Sequence, residues 1–375
     1  MKQGRTIMEL AKEMERQRAV RKDFIADTRM LAVKTDERGN SLLSLDLDGA
    51  RESFYLQDLA HLQIAARLQI PVKYYKKMRM EHPSLLDWNV NEWFRKEPDR
   101  RMVRTLDGQV RAFLSDRYRR LDNLELADAV FPILREMKGA EILSCEITQT
   151  HLYLKVVNKR LKAEVGVGDV VQAGICISNS EVGLGSLKVE PLLYRLVCKN
   201  GLICRDYAQR RYHVGRQIES DDAAYEIYSD ETLAADDKAF FLKVQDTVRT
   251  AVDEARFQLT VENFKAAKQE STGEDPVKTV EVLADRYLLS QSERGGILRH
   301  FILGGDNSQF GLINAVTKAS QDVEDYNRAT ELERLGGILL AASTVQKRLP
   351  APRFTGMERS IKGTVESYAL SLIHI

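Results

Sequence analysis

The stretch ISNSEVGLGSLKVEPLLYRLVCKNGLICRD (residues 177–206) opens polar and glycine-rich and closes apolar with a basic edge. Gly183 and Gly185 have the look of a phosphate loop, and Cys198 and Cys204 that of a redox or metal pair. Neither pattern holds. EVGLGSLK lacks the G-x-x-x-x-G-K-[ST] spacing and the third glycine of a dinucleotide loop. The following SLKVEPLLYRLV reads as strand, so no helix N-terminus stands ready for a phosphate. The two cysteines are too far apart for a zinc knuckle, and no His pair has the usual spacing. What remains is a strand, a flexible glycine turn and a second strand that carries arginines.

Working outward, EILSCEIT, HLYLKVV, DVVQAGICISNS and GSLKVEPLLYRLVC are dense in β-branched and aromatic residues and separated by Gly and polar turns. RRMVRTLDGQVRAFLSD (100–116) reads as two strands around Asp107-Gly108, and SLLSLDLDG (41–49) alternates before another Asp-Gly turn. Between them, Asp58 is expected to cap a helix, Pro71 to open the next, and HPSLLDWNVNEWFRKE to continue helically with Trp88 and Phe94 in the core. NLELADAVFPILREMKG is a helix stopped by Gly139. Residues 6–23 form an amphipathic helix. Beyond Asp230 the period is helical: Phe241, Val244, Val248, Ala251, Ala255 and Leu259 make one stripe, and a long helix runs from Phe310 to Val345 with Gly336-Gly337 as a stop signal. The fold class is therefore α+β, a mostly antiparallel sheet with packed helices followed by an all-helical C-terminal region. The expected divisions are an N-terminal helix (1–27), an α+β core (28–218), an acidic linker (219–232), a helical region (233–348) and a tail (349–375).

A composition of 43% hydrophobic and 30% charged residues suits a globular chain, not a disordered one. The apolar runs are too short to cross a bilayer, and the N-terminus lacks the apolar core of a signal peptide. The four cysteines sit in strand-like contexts, as reduced buried thiols in a cytoplasm would.

The net charge of +1 hides a strong asymmetry. Arg95, Lys96, Arg100, Arg101, Arg104, Arg111, Arg117, Arg119 and Arg120 outnumber the acids among them, and a second basic run extends from Lys188 to Arg216. Residues 219–237 then carry only acids. Aromatic rings lie among both basic runs, the pattern that suits single-stranded nucleic acid: guanidinium groups take phosphates and rings take bases. The candidate binding residues are Arg111, Arg117, Tyr118, Arg119 and Arg120 from the first run. From the second they are Lys188, Arg195, Lys199, Arg205, Tyr207, Arg210, Arg211 and Tyr212. A solvated strand edge or an ion-pair network explains either run equally well. No metal motif, nucleophile elbow or paired-histidine motif occurs, so no metal, cofactor or catalytic residue is expected. Glu181 and Glu190 are the sole carboxylates placed to serve an enzyme acting on nucleic acid.

VRAFLSDRYRRLDN, SNSEVGLGSLKVEPLLYRLVCKNGLI and FGLINAVTKASQDVEDYNRATELERLGG resemble the prokaryotic and prophage domain of unknown function family 932 over roughly residues 40–345. That resemblance carries no catalytic residues. It implies a phage, plasmid or other mobile-element setting, and by analogy of fold and context the single-strand annealing recombinases. The function expected is a cytoplasmic protein that binds nucleic acid, single-stranded DNA foremost, in recombination, repair or replication without chemistry of its own. The alternatives are an oligomeric assembly module and a nucleic-acid-processing enzyme; no membrane partner is expected.

Overall fold

The structure, a computed structural model, describes residues 1–47, 50–116, 118, 121–185, 187–204, 213–214, 230–251 and 254–348. The chain is α+β with helices filling the C-terminal part, and it divides into two units. Unit one holds Met1–Lys12, Leu121–Ser180 and Gly185–Arg353; unit two holds Glu13–Arg120, Glu181–Leu184 and Phe354–Ile375. Each unit holds one six-stranded sheet, and the strands of the two sheets lie between Lys22 and Val214. The Asp48-Gly49 turn, most of the acidic linker and the tail lie outside the described residues.

After α1 (Ile7–Val20), unit two contains β1 (Lys22–Asp27), β2 (Leu31–Thr35), β3 (Ser41–Leu47), β4 (Ala50–Leu56), α2 (Asp58–Arg67), α3 (Val72–Glu81), α4 (Pro83–Lys96), β5 (Arg100–Leu106) and β6 (Gln109–Ser115). The strand order is β1-β5-β6-β4-β3-β2, antiparallel throughout except where β4 meets β6. Asp107 (φ 52°) and Gly108 (φ 73°) both take positive φ, the backbone that a two-residue hairpin of matching twist requires. The alternation of β3 puts Leu43 and Leu45 into the core with Ile64, Tyr75, Leu86, Val90 and Phe94 from the three helices.

The edge strand β2 is satisfied by side chains of α4. Asn91 accepts from the Val33 N–H at 2.7 Å and donates to its carbonyl at 2.9 Å, while Asp87 accepts from Thr35 N–H at 2.9 Å. Two backbone donors at an open edge are thereby closed to another strand. Asp58 is the first residue of α2 and not its cap: the N-cap is Gln57, which makes no side-chain cap bond. Trp88 is 64% exposed, contrary to expectation. The buried positions of α4 are Leu86, Val90 and Phe94, spaced by four, and Trp88 falls on the opposite side of the wheel.

Unit one continues with α5 (Asn123–Glu136), β7 (Ala140–Ile147), β8 (Leu152–Gly166), β9 (Asp169–Asn179), β10 (Leu187–Arg195), β11 (Asn200–Ile203) and β12 (His213–Val214). Its sheet runs β11-β10-β9-β8-β7, with β12 beside β10. The helices are α6 (Asp230–Ala251), α7 (Glu254–Ala266), α8 (Pro276–Tyr287), α9 (Gln291–Gly304), α10 (Gln309–Ala319) and α11 (Tyr326–Arg348). None of the described helices is long and apolar enough to cross a membrane.

Two expectations about these helices change. The single stripe from Phe241 to Leu259 belongs to two helices: Phe240, Val244 and Val248 are buried in α6, and Phe257, Val261 and Phe264 in α7, which leaves Leu259 outside. The long helix from Phe310 is also two, α10 and α11, separated at residues 320–325. Gly336 and Gly337 stop nothing. They lie inside α11, where a Cβ on Gly337 would come within 1.9 Å of the Ile203 carbonyl oxygen, and one on Gly336 within 2.7 Å of Leu202 Cδ1. The pair lets α11 lie on the backbone of β11.

Beneath α11, Lys155 and Glu333 are both fully buried. Lys155 Nζ is 2.7 Å from Glu333 Oε2, donates to Thr330 Oγ1 at 3.0 Å and stands 4.6 Å from the centre of the Tyr326 ring. Removing one partner leaves a bare charge in the core. Lys155→Ala is expected to lower the stability of unit one by about 3–5 kcal/mol in urea unfolding. The double variant Lys155→Met/Glu333→Leu is expected to recover most of that loss, because it leaves no ion to solvate.

Candidate nucleic-acid interface

The arginines predicted to meet phosphate are, where described, internal. Arg111 sits on β6, whose residues Val110 to Leu114 are all buried, so no alternation turns it outward. At 5% exposure it lies 2.8 Å from Glu181 Oε2. Arg104 on the paired strand β5 has no exposed surface. It makes a two-pronged bond to Asp23, 3.0 Å at each oxygen, and donates to the Glu181 carbonyl at 2.9 Å. Gln63 bridges in the same place, accepting from Phe113 N–H at 2.7 Å and donating to the Val182 carbonyl at 2.8 Å. The glycine turn 181–184 is therefore held by side chains of unit two. Gly183 takes φ 80°, and a Cβ there would lie 2.6 Å from Leu114 Cδ2. It is a structural turn and no phosphate cradle.

Tyr118 packs against the small cluster of Met102, Ala112, Leu114 and Val182. Burial raises its hydroxyl above the usual phenol range, and its ring is not laid open for stacking. In unit one, Arg195 grips Asp169 at 2.6 and 2.7 Å, and its guanidinium stands 5.2 Å from the Phe310 ring centre. Lys188 is half-buried on β10 opposite Ser178. Of the five described candidates only Lys199 is exposed. Arg117, Arg119, Arg120, Arg205, Tyr207, Arg210, Arg211 and Tyr212 lie outside the described residues.

The two carboxylates considered for catalysis are likewise engaged. Glu181 faces Arg111, with Arg21 at 4.0 Å, and Glu190 is 2.7 Å from Arg334, which also donates to Ser178. They belong to different units. Among the described residues no group of three or more His, Cys, Asp and Glu side chains is arranged to hold a metal ion.

A cluster of exposed cations lies elsewhere, on α3. Tyr75 and Met78 are its buried residues. At 100° per residue, Lys73, Lys76, Lys77 and Met80 fall on the opposite side and all are exposed. Four bases (Lys73, Lys76, Lys77, Arg79) against one acid (Glu81) give this ten-residue helix a net charge of +3. Lys77 reaches Glu81 at 3.8 Å, an exposed pair of little energetic weight. Lys73 and Lys76 have no acidic partner among the described residues. Tyr74, 48% exposed, stands between them in sequence. The strand-based search for alternating arginine and aromatic residues passed over this helix; a helical wheel of VKYYKKMRME would have found it.

The family described as "Domain of unknown function (DUF932)" matches residues 112–338. The chain belongs to this family. Comparison with curated proteins and with solved structures gives no match. The DUF932 stretch is narrower than the residues 40–345 expected from resemblance, and α3 precedes it. Within it fall the buried or half-buried ion pairs Lys155–Glu333, Arg195–Asp169, Arg334–Glu190 and Arg328–Glu293.

All four cysteines are free thiols. Burial pushes Cys145 up to about 11 and Cys176 up to about 12. Cys204 is also buried, and Cys198 is half-exposed. A thiol reagent at pH 8 is expected to modify Cys198 alone in the folded protein and all four after unfolding, as counted by mass spectrometry. Arg111→Ala takes the 2.8 Å partner from the buried Glu181 and is expected to unfold unit two at a urea concentration lower by the equivalent of about 3 kcal/mol.

Proposed function

We propose that this protein binds nucleic acid, single-stranded DNA foremost, through the lysine face of α3, without chemistry of its own. The observation that carries the reading is the triplet Lys73, Lys76 and Lys77, exposed on one side of a helix whose other side anchors in the core. Exposed ammonium groups release counterions from a phosphate backbone, and this release drives binding without regard to sequence; the one ion pair within reach of the three, Lys77–Glu81 at 3.8 Å, is exposed and weak. Tyr74 and Trp88, both large and exposed on neighbouring helices, offer ring faces to unstacked bases. Arg111 and Arg195 have no direct part in the proposal. The setting we propose is the cytoplasm of a cell that carries a phage, plasmid or other mobile element, in recombination, repair or replication.

A second reading, an assembly module that forms homo-oligomers, is favoured by the exposure of Trp88, Met80 and Leu85 on α3 and α4. Light scattering with and without oligonucleotide separates the two: oligomers indifferent to DNA support assembly.

The main test is fluorescence anisotropy with a labelled single-stranded oligonucleotide across a salt series. Affinity is expected to fall steeply with salt, at a slope of about 0.7 per phosphate neutralised. Lys73→Glu/Lys76→Glu/Lys77→Glu is expected to reduce that slope by about 2, with the urea midpoint unchanged. Absence of binding at low salt, or an unchanged slope in the triple variant, would reject the lysine face.

A further inference from the structure

Arg79, at the C-terminal end of α3, lines an open cavity of about 330 Å³ together with Asn40, Ser41, Tyr55, Leu56 and Gln109. That volume lies at the lower end of the range for small-molecule sites, about 300–1,000 Å³. The cavity belongs wholly to unit two and is built on rigid elements: Tyr55 on β4, Gln109 at the start of β6 beside it in register, and Arg79 on the helix.

Its polar groups are oriented by neighbours yet keep capacity to spare. Arg79 Nε donates to the Gly39 carbonyl and Nη1 to Asp58, both at 2.7 Å, which fixes the guanidinium plane and leaves Nη2 without a partner. Asn40 Nδ2 donates to Asp36 at 3.0 Å. A carboxylate only accepts, so the orientation of this amide is set and Asn40 Oδ1 is the free atom. Gln109 shares one amide–amide bond with Gln57 at 2.9 Å, which leaves the other end of its amide without a partner among the described residues. The Tyr55 hydroxyl has no partner, and the residue is 53% exposed.

We infer that this cavity receives a single nucleobase of the strand held by α3, with Tyr55 as its stacking partner and thymine or uracil as the favoured base. The inference rests on the proposed function and adds the part that discriminates. One fixed donor, Arg79 Nη2, one fixed acceptor, Asn40 Oδ1, and the Gln109 amide, which can turn its Nε2 inward, match the composition of a thymine edge: two carbonyl oxygens and one N–H. An adenine Watson–Crick edge, one amino group and one ring nitrogen, satisfies two of these three groups and leaves the third unmet. The same helix carries the lysines and Arg79, so a strand neutralised by Lys73, Lys76 and Lys77 is led toward the cavity by the element that binds it. No bond is made or broken; this is a binding pocket.

Two experiments test it. In the first, oligo-dT, oligo-dA and an abasic oligonucleotide of equal length are titrated against the full chain and against Tyr55→Ala and Gln109→Ala, two exposed positions whose replacement leaves the core intact. The expected result is preference for dT over dA and over the abasic strand, and about tenfold weaker dT binding in Tyr55→Ala. Equal affinity for all three strands, or an unchanged dT affinity in Tyr55→Ala while salt-dependent binding persists, overturns the pocket and leaves the lysine face standing. In the second, saturation-transfer NMR with free thymidine reads the cavity without any phosphate. A signal lost in Tyr55→Ala supports the pocket even if no DNA binding is found; no signal from the full chain overturns it.

Discussion

A guanidinium with no exposed surface has to be neutralised where it stands, and unit two is arranged around that requirement. Arg104 takes both oxygens of Asp23 from the neighbouring strand and the carbonyl of Glu181 from the glycine turn. The Glu181 side chain is then left for Arg111, the second buried arginine of the same sheet. Isolated, either cation would cost several kcal/mol of desolvation. Together with their acids they fix where β1, β5, β6 and the turn at 181–184 lie. Unit one repeats the solution with Arg195–Asp169, Arg334–Glu190 and Lys155–Glu333.

This constraint explains why the strands could be read from the sequence and the interface could not. Strand positions follow from β-branched density and Asp-Gly or Gly turns, which are local properties; Asp107-Gly108 takes the positive φ values its residue types allow. Whether a strand arginine faces solvent or a carboxylate across the sheet is a long-range property: Asp23 and Glu181 lie 81 and 77 residues from Arg104. Arginine is also the cation best suited to burial, being weakly hydrated and able to bond both oxygens of a carboxylate. A run of arginines on strands therefore points inward as readily as outward. Lysine on a helix opposite its apolar stripe has no such ambiguity, and on that basis α3 was legible.

The helical misreadings have a similar origin. Gly336-Gly337 has the composition of a stop, yet inside α11 it serves a close approach to β11, which only the partner strand reveals. Trp88, expected in the core beside Phe94, is exposed. Its position two residues from Leu86 puts it on the far side of α4, and the periodicity of Leu86, Val90 and Phe94 contained that information. Phe240 and Phe257, and not Phe241 and Leu259, are the buried aromatic and apolar positions at the two ends of the expected stripe.

In the proposed binding mode, a lysine face and a base-sized cavity divide the work of recognition differently from the pattern of interleaved arginine and tyrosine that the strands promised. Phosphate contacts set affinity and position but carry no sequence information. Three lysines on one helix would therefore hold any strand, at a strength governed by salt. Discrimination has to come from groups whose hydrogen-bonding direction is fixed before the strand arrives, and these are found where a neighbour has already claimed one end of the side chain: Asp36 on Asn40, Asp58 and Gly39 on Arg79. Preorganisation of this kind reduces the entropy lost on binding, since the side chains are already ordered. The bonds that orient the cavity are thus part of its selectivity, and a variant that loosens them, such as Asp36→Ala at Asn40, weakens the choice of base before it weakens the hold on the backbone.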